Sequence, residues 1–207
     1  MDAKQKIILA TLDIIKTDGM RAIRHRAVAA KAKVSLGSTT YHFKDIEDLI
    51  SSAFIYWHEQ ADIDKNPYYQ SLIESDGVTQ ASEQSAAELA DTLISYGERY
   101  LRDQIFERTD DRRIELAFHN EALRSVTLSE LMLKSWSDEV ARLEALFIKL
   151  GINNPNTAAE TTFALIMQLE KKALLIRDPQ AQQQEWDKMK IVFEKHVRLI
   201  VGASDLS

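Results

Sequence analysis

A chain of 207 residues, 45% hydrophobic and 28% charged, has the composition of a folded globular protein with a core of its own, not that of a disordered segment. It holds no cysteine, which excludes disulfide scaffolds, thiolate zinc sites and thiol nucleophiles together. The net charge of −6 hides an asymmetry: residues 1–44 carry nine Lys or Arg against three Asp, a balance of +6, so the remaining 163 residues carry −12. Only the basic head suits a polyanion.

In chain order, Ile8, Leu12 and Ile15 at i, i+4 and i+7 predict a first helix over about 3–17, stopped at Asp18-Gly19. The apolar run from Ile7 to Leu12 is broken by Asp13, which is too short and too polar for a signal peptide. No stretch approaches the roughly 18–20 apolar residues of a bilayer span, so a cytoplasmic protein without a membrane partner is expected. A second short helix is predicted over 25–32, burying Val28, Ala29 and Ala32. A third is predicted over 36–42, with Ser35 as N-cap.

Asp45 and Asp48 resemble a capping box, after which Ile46, Leu49, Ile50, Ala53, Phe54 and Trp57 mark one face of a long fourth helix that ends before Pro67. Residues 62–84 lack periodicity and read as a loop with a helical turn at 68–73. A fifth helix follows through Ala86, Leu89, Ala90, Leu93, Ile94 and Leu101, then a sixth at about 111–123 and a seventh from 127 to Leu150, closed by Gly151 and Pro155. The eighth, 157–177, is apolar on two faces and requires two covers, and the ninth, about 181–202, carries a single stripe. Nothing alternates as a strand does. The expectation is an all-α chain with a DNA-binding domain at 1–46 and a helical ligand-binding and dimerisation domain at 47–207.

The second and third helices, joined by a tight turn at Lys33-Val34-Ser35, form a helix-turn-helix, whose later helix enters the major groove of duplex DNA. Gly37 and Ser38 are small enough for close approach. Thr39 and Thr40 offer a methyl to thymine or a hydroxyl to a base edge, while Tyr41, His42 and Lys44 stand where phosphates pass. Arg24, Arg26 and Ser35 complete the expected DNA face.

The run GMRAIRHRAVAAKAKVSLGSTTYHF followed by KDIEDLI resembles the N-terminal domain of the tetracycline-repressor (TetR) family of bacterial regulators. Gly19, Ala29, Ala32, Val34, Ser35, Gly37, Ser38, Tyr41, Phe43, Glu47 and Leu49 match its pattern in register over about 50 residues. The family often has Thr at Arg24, Gly at Lys33 and Lys at both Leu36 and Ile46. The resemblance implies a homodimer, no enzyme, that binds a pseudo-palindromic operator and is released by a small-molecule effector, with no cofactor or metal.

For the effector pocket the aromatic and methionine residues Tyr96, Tyr100, Phe118, Met132, Trp136, Phe163 and Met167 are candidates. Core packing explains each of them equally. For the dimer, the expected face is Leu165, Leu169, Ala173 and Ile176 with Phe193, His196 and Ile200. Glu115 and His119 have the spacing of a two-ligand metal pair but lack a third ligand. Two competing classes, a small helical enzyme and a helical adaptor without DNA binding, leave the basic head unused, and no HExxH, GxSxG or phosphate-cradling glycine loop is present.

Overall fold

The computed structural model describes residues 1–60, 67–74, 78 and 84–203, and among these every regular element is a helix. They divide into two compact units, Met1–Asp62 with Arg113–Ser135, and Ile63–Arg112 with Trp136–Ser207. The expected boundary at 46/47 is a division by role. Packing instead places the fourth helix in the unit of the first three.

The first unit contains α1 (Ala3–Asp18), a 3-10 turn (Met20–Ala22), α2 (His25–Ala32), α3 (Leu36–His42) and α4 (Ile46–Gln60). It also takes residues from α7 (Thr109–Ala122) and α8 (Val126–Lys149). Local chemistry sets these limits. Asp2 accepts the Gln5 N–H at 2.7 Å to cap α1. Gly19 closes it at φ 80°, its N–H shared between the carbonyls of Ile14 and Ile15, in a region that side chains disfavour.

At the start of α4 the Asp45 carboxylate accepts the Asp48 N–H at 2.8 Å, as a capping box requires. The Asp48 carboxylate, however, reaches back to the N–H of Lys44 at 2.9 Å, one residue before the expected partner.

Helix α1 packs on α2, α3 and α4, and Ile7, Ile23, Val28, Phe43 and Leu49 are fully buried. A fully buried side chain of this size contributes roughly 1.5–3 kcal/mol. Phe118 of α7 lies edge-on to Phe54 at 5.3 Å and against Trp57 at 5.9 Å. Ser125 donates to Glu47 at 2.5 Å, and Ser135 is hydrogen-bonded to His58 Nε2 at 2.5 Å, so polar bonds join α4 to the α7–α8 part of its unit at both ends.

The second unit contains α5 (Pro67–Ile73), α6 (Ala86–Arg102) continued by a π-helical turn (Asp103–Glu107), α9 (Pro155–Leu175) and α10 (Pro179–Val201). The predicted loop at 62–84 lies mostly outside the described residues, and its expected helical turn is α5. Ser85 and Glu88 form a full capping box at the start of α6, and the Ser85 backbone N–H, followed by its hydroxyl, holds the Glu88 carboxyl below its usual range.

Helix α10 packs on α6 and α9. The core holds Leu89, Leu93, Leu101, Leu169, Ala173, Trp186, Met189, Phe193 and Val197. Glu170, also buried, pairs with Arg112 at 3.4 Å.

This packing corrects the expected dimer face. Leu169, Ala173 and Phe193 are within the chain's own core, because α10 covers the stripe of α9 that the sequence assigned to a second copy. Helix α9 ends at Leu175, and Ile176 is an extended C-cap outside it. His196 is half-buried against the Thr162 hydroxyl at 2.8 Å, and burial holds its imidazole below the ordinary range. Leu165 and Ile200 are also half-buried, packed at the edge of the core.

The approach of α6 to α10 is set by Gly97: a Cβ built there would overlap the Phe193 ring. Gly97→Ala is therefore expected to destabilise the protein by about 1–3 kcal/mol through overpacking, although alanine favours helix, as a lowered urea midpoint would register.

Candidate nucleic-acid interface

The turn between α2 and α3 centres on Lys33, which takes left-handed backbone at φ 57°, ψ 44°. The N–H of Val34 bonds back to Ala29 at 3.0 Å, closing α2. A side chain in this conformation costs roughly 1–2 kcal/mol, which glycine avoids. What lysine supplies in return is an exposed cation beside the start of α3.

Ser35 caps α3 as expected, its Oγ accepting the Ser38 N–H at 3.1 Å. At roughly 100° per residue, Ser38, Thr39 and His42 share one side of this short helix, and Leu36, Gly37, Thr40 and Tyr41 share the other. Exposure follows that division. Thr39 is buried, Ser38 and His42 are half-buried, and the other four are exposed, Tyr41 at 84%.

Thr39 therefore cannot read a base. Its side chain is fully enclosed and its hydroxyl donates to the Leu36 carbonyl at 2.7 Å, which satisfies the buried group within the helix. Thr40 stays outside, with its hydroxyl donating to the Gly37 carbonyl at 3.2 Å.

Arg24 is exposed, and its Nη1 donates to the carbonyls of Arg21 at 2.8 Å and Ile23 at 2.7 Å, which holds one edge of the guanidinium to the 3-10 turn. Lys31 is paired with Asp13 at 2.5 Å, and that hydrogen bond raises its already high pKa. Arg26, Lys33 and Lys44 are exposed and flank the outward side of α3 in sequence. Phe43 closes the head from inside, with Lys4 Nζ 6.0 Å from its ring centre. Leu36, which stands where the family often has Lys and was not placed on the expected DNA face, is 45% exposed on the outward side. The spacing of Leu36 and Thr40, four apart, was the available signal.

The residues expected to line an effector pocket fall in both units. Phe118 and Met132 are buried in the first unit, where Phe118 is a core ring. In the second unit Trp136 meets Phe163 edge-on at 6.2 Å, Tyr96 and Tyr100 pack against the core, and Met167 is half-buried. A groove of about 440 Å³ lies elsewhere in that unit, lined by residues of α6 and α10 that include Glu98, Arg99, Arg102 and Trp186.

Glu115 and His119 are 3.8 Å apart, and among the described residues no group of three or more His, Asp or Glu could hold a metal ion. Among the same residues no helix is long and apolar enough to cross a membrane.

No protein-family model and no curated protein matches the sequence. Solved structures do. A transcriptional regulator from Rhodococcus sp. Rha1 superposes with a TM-score of 0.72 at 19% identity, over 100% of both chains. A regulator assigned to the TetR family, from Mesorhizobium loti MAFF303099, gives 0.65 at 18% identity over 97% of this chain and 96% of that one. The multidrug binding protein EbrR, in complex with ethidium, gives 0.65 at 22% identity over 94% and 98%. The architecture is thus one that helix-turn-helix transcriptional regulators use. Specifically, the chain has the all-helical fold of TetR-type regulators, as its first 50 residues led us to expect.

Gly37 needs no special backbone, and a Cβ there would meet nothing closer than the Ser35 hydroxyl at 3.9 Å. The fold itself does not demand glycine. Gly37→Ala is therefore expected to raise stability by up to about 1 kcal/mol through helix propensity. A raised urea midpoint would register it.

Proposed function

We propose that this protein is a ligand-responsive transcriptional regulator, a repressor that holds a pseudo-palindromic operator as a homodimer and releases it when a small molecule binds. The observation that carries the reading is the outward side of α3, exposed and free of acidic groups, with Arg26, Lys33 and Lys44 around it. Such a helix fits the major groove while the flanking cations meet phosphates. The first acids after α3 are Asp45 and Asp48, which are used to cap α4 and its preceding turn.

For the dimer we infer a face displaced from the one first expected. Val192 and Leu199, seven residues apart on α10, are exposed on the side away from Trp186, Met189, Phe193 and Val197, and Ile191 stands next to them. Leu175 at the end of α9 is exposed as well. A two-fold pairing of this apolar line with its own copy buries it on both subunits. His196, Ile176 and Ile200 form its half-buried margin. The effector reading rests on the aromatic residues of the second unit, Tyr96, Tyr100, Trp136 and Phe163 with Met167, and draws support from EbrR, which binds ethidium in the same fold. An effector acts by binding better to a form whose two heads are wrongly spaced for the half-sites, lowering operator affinity by the difference.

Two measurements test this reading. With three cations from each of two heads on phosphates, affinity for a selected duplex is expected to fall about 10³-fold between 50 and 200 mM salt. A flat salt response would count against a nucleic-acid partner. For the dimer, the double variant Val192→Glu with Leu199→Glu is expected to give a folded monomer by light scattering and circular dichroism. An unchanged dimer would move the interface elsewhere.

A further inference from the structure

The outward side of α3 consists of Leu36, Gly37, Thr40 and Tyr41, and none of the four is charged or carries a carboxamide. The bidentate contacts that select guanine through arginine or adenine through asparagine are therefore unavailable from this helix. The Thr40 hydroxyl donates its proton to the carbonyls of Gly37 and Leu36, at 3.2 and 3.5 Å, so outward it can present its methyl or accept a hydrogen bond but not donate one. Leu36 and Thr40 stand one turn apart on the same side, so their apolar groups lie about 6 Å apart along one edge of the helix. Gly37, beside them, adds no side chain to hold that edge away from a surface.

We propose that Leu36 is the principal specificity-determining residue of the head, and that with the Thr40 methyl it reads the C5-methyl groups of thymines in the major groove. This rests on the DNA-binding reading above. The thymine methyl is the one apolar feature that the four bases display in that groove. Leucine against any other base edge desolvates a donor or acceptor without returning a hydrogen bond, so discrimination comes from attraction to the methyl and from the penalty elsewhere. Single exposed leucines are common and need no explanation by themselves. Here the leucine sits on the outward side, one turn from a threonine whose hydroxyl proton is already given to the helix's own carbonyls. The 6 Å edge spans about two base-pair steps, which places the thymines on neighbouring or next-neighbouring pairs in each half-site.

The test uses the full chain and duplexes selected by it from a randomised pool. Each thymine of the selected site is replaced singly by deoxyuridine, which deletes only the methyl. Binding is expected to weaken about fourfold at one or two positions per half-site, the effect of losing one buried methyl. Leu36→Ala is expected to abolish the thymine preference at one of these positions and Thr40→Ser at another, with residual binding retained through the phosphate contacts. A half-site in which every thymine is replaced without loss of affinity would overturn the proposal while leaving DNA binding intact, and it needs no protein variant. Preferences left unchanged by both substitutions would overturn it too. Recovery of no sequence from the pool would overturn the DNA-binding reading, and this proposal with it.

Discussion

The burial of Thr39 is the constraint on which the head depends. Helix α3 has seven residues and fully encloses only this one, so a single side chain determines the rotational setting of the helix. A small β-branched residue fits beneath α3 without pushing it outward. Its hydroxyl bonds to the helix's own carbonyl, so the burial leaves no polar group unsatisfied. Phe43, also enclosed, then anchors the end of the same helix from the next position. Turning α3 by one residue would drive Thr40 inward and bring Ser38 toward the outside. The composition of the outward side is thus a consequence of what the inward side must bury.

Electrostatics acts at longer range to the same effect. The head balance of +6 and the −12 of the remaining chain give the molecule a polarity that favours approach to a polyanion by the head alone. Within the head the cations are not equivalent. Lys31 is engaged with Asp13 and Arg24 with backbone carbonyls, whereas Lys33 occupies a left-handed position at an energetic cost to the fold.

The helices of the head were legible almost to the residue, because caps and glycines mark their ends: Ser35 before α3, Gly19 after α1 and the acids at the start of α4. The orientation of α3 was not. A helix of two turns, rich in small hydroxyl residues, has no apolar stripe from which a buried side can be read, and so Thr39 and Thr40 looked alike in sequence. The dimer face failed for a different reason. An apolar residue records that something covers it but not whether the cover belongs to the same chain, and at Leu169, Ala173 and Phe193 the cover is internal. The pocket residues were ambiguous on the same ground. Phe118 is a core ring among Phe54 and Trp57, and periodicity alone does not separate that role from cavity lining.

The contact of Phe193 with Gly97 limits how the second unit can move. A ring lying directly on backbone works as a detent: if α10 slid along α6 by about one turn, the ring would leave the notch of the glycine and meet Leu93 or Leu101, both already enclosed. Shear between these two helices is therefore blocked by a steric stop, and rotation about the notch is the motion that remains open. Sliding of the pair thus meets a steric barrier on either side, whereas hinging about the fixed register of Gly97 and Phe193 does not.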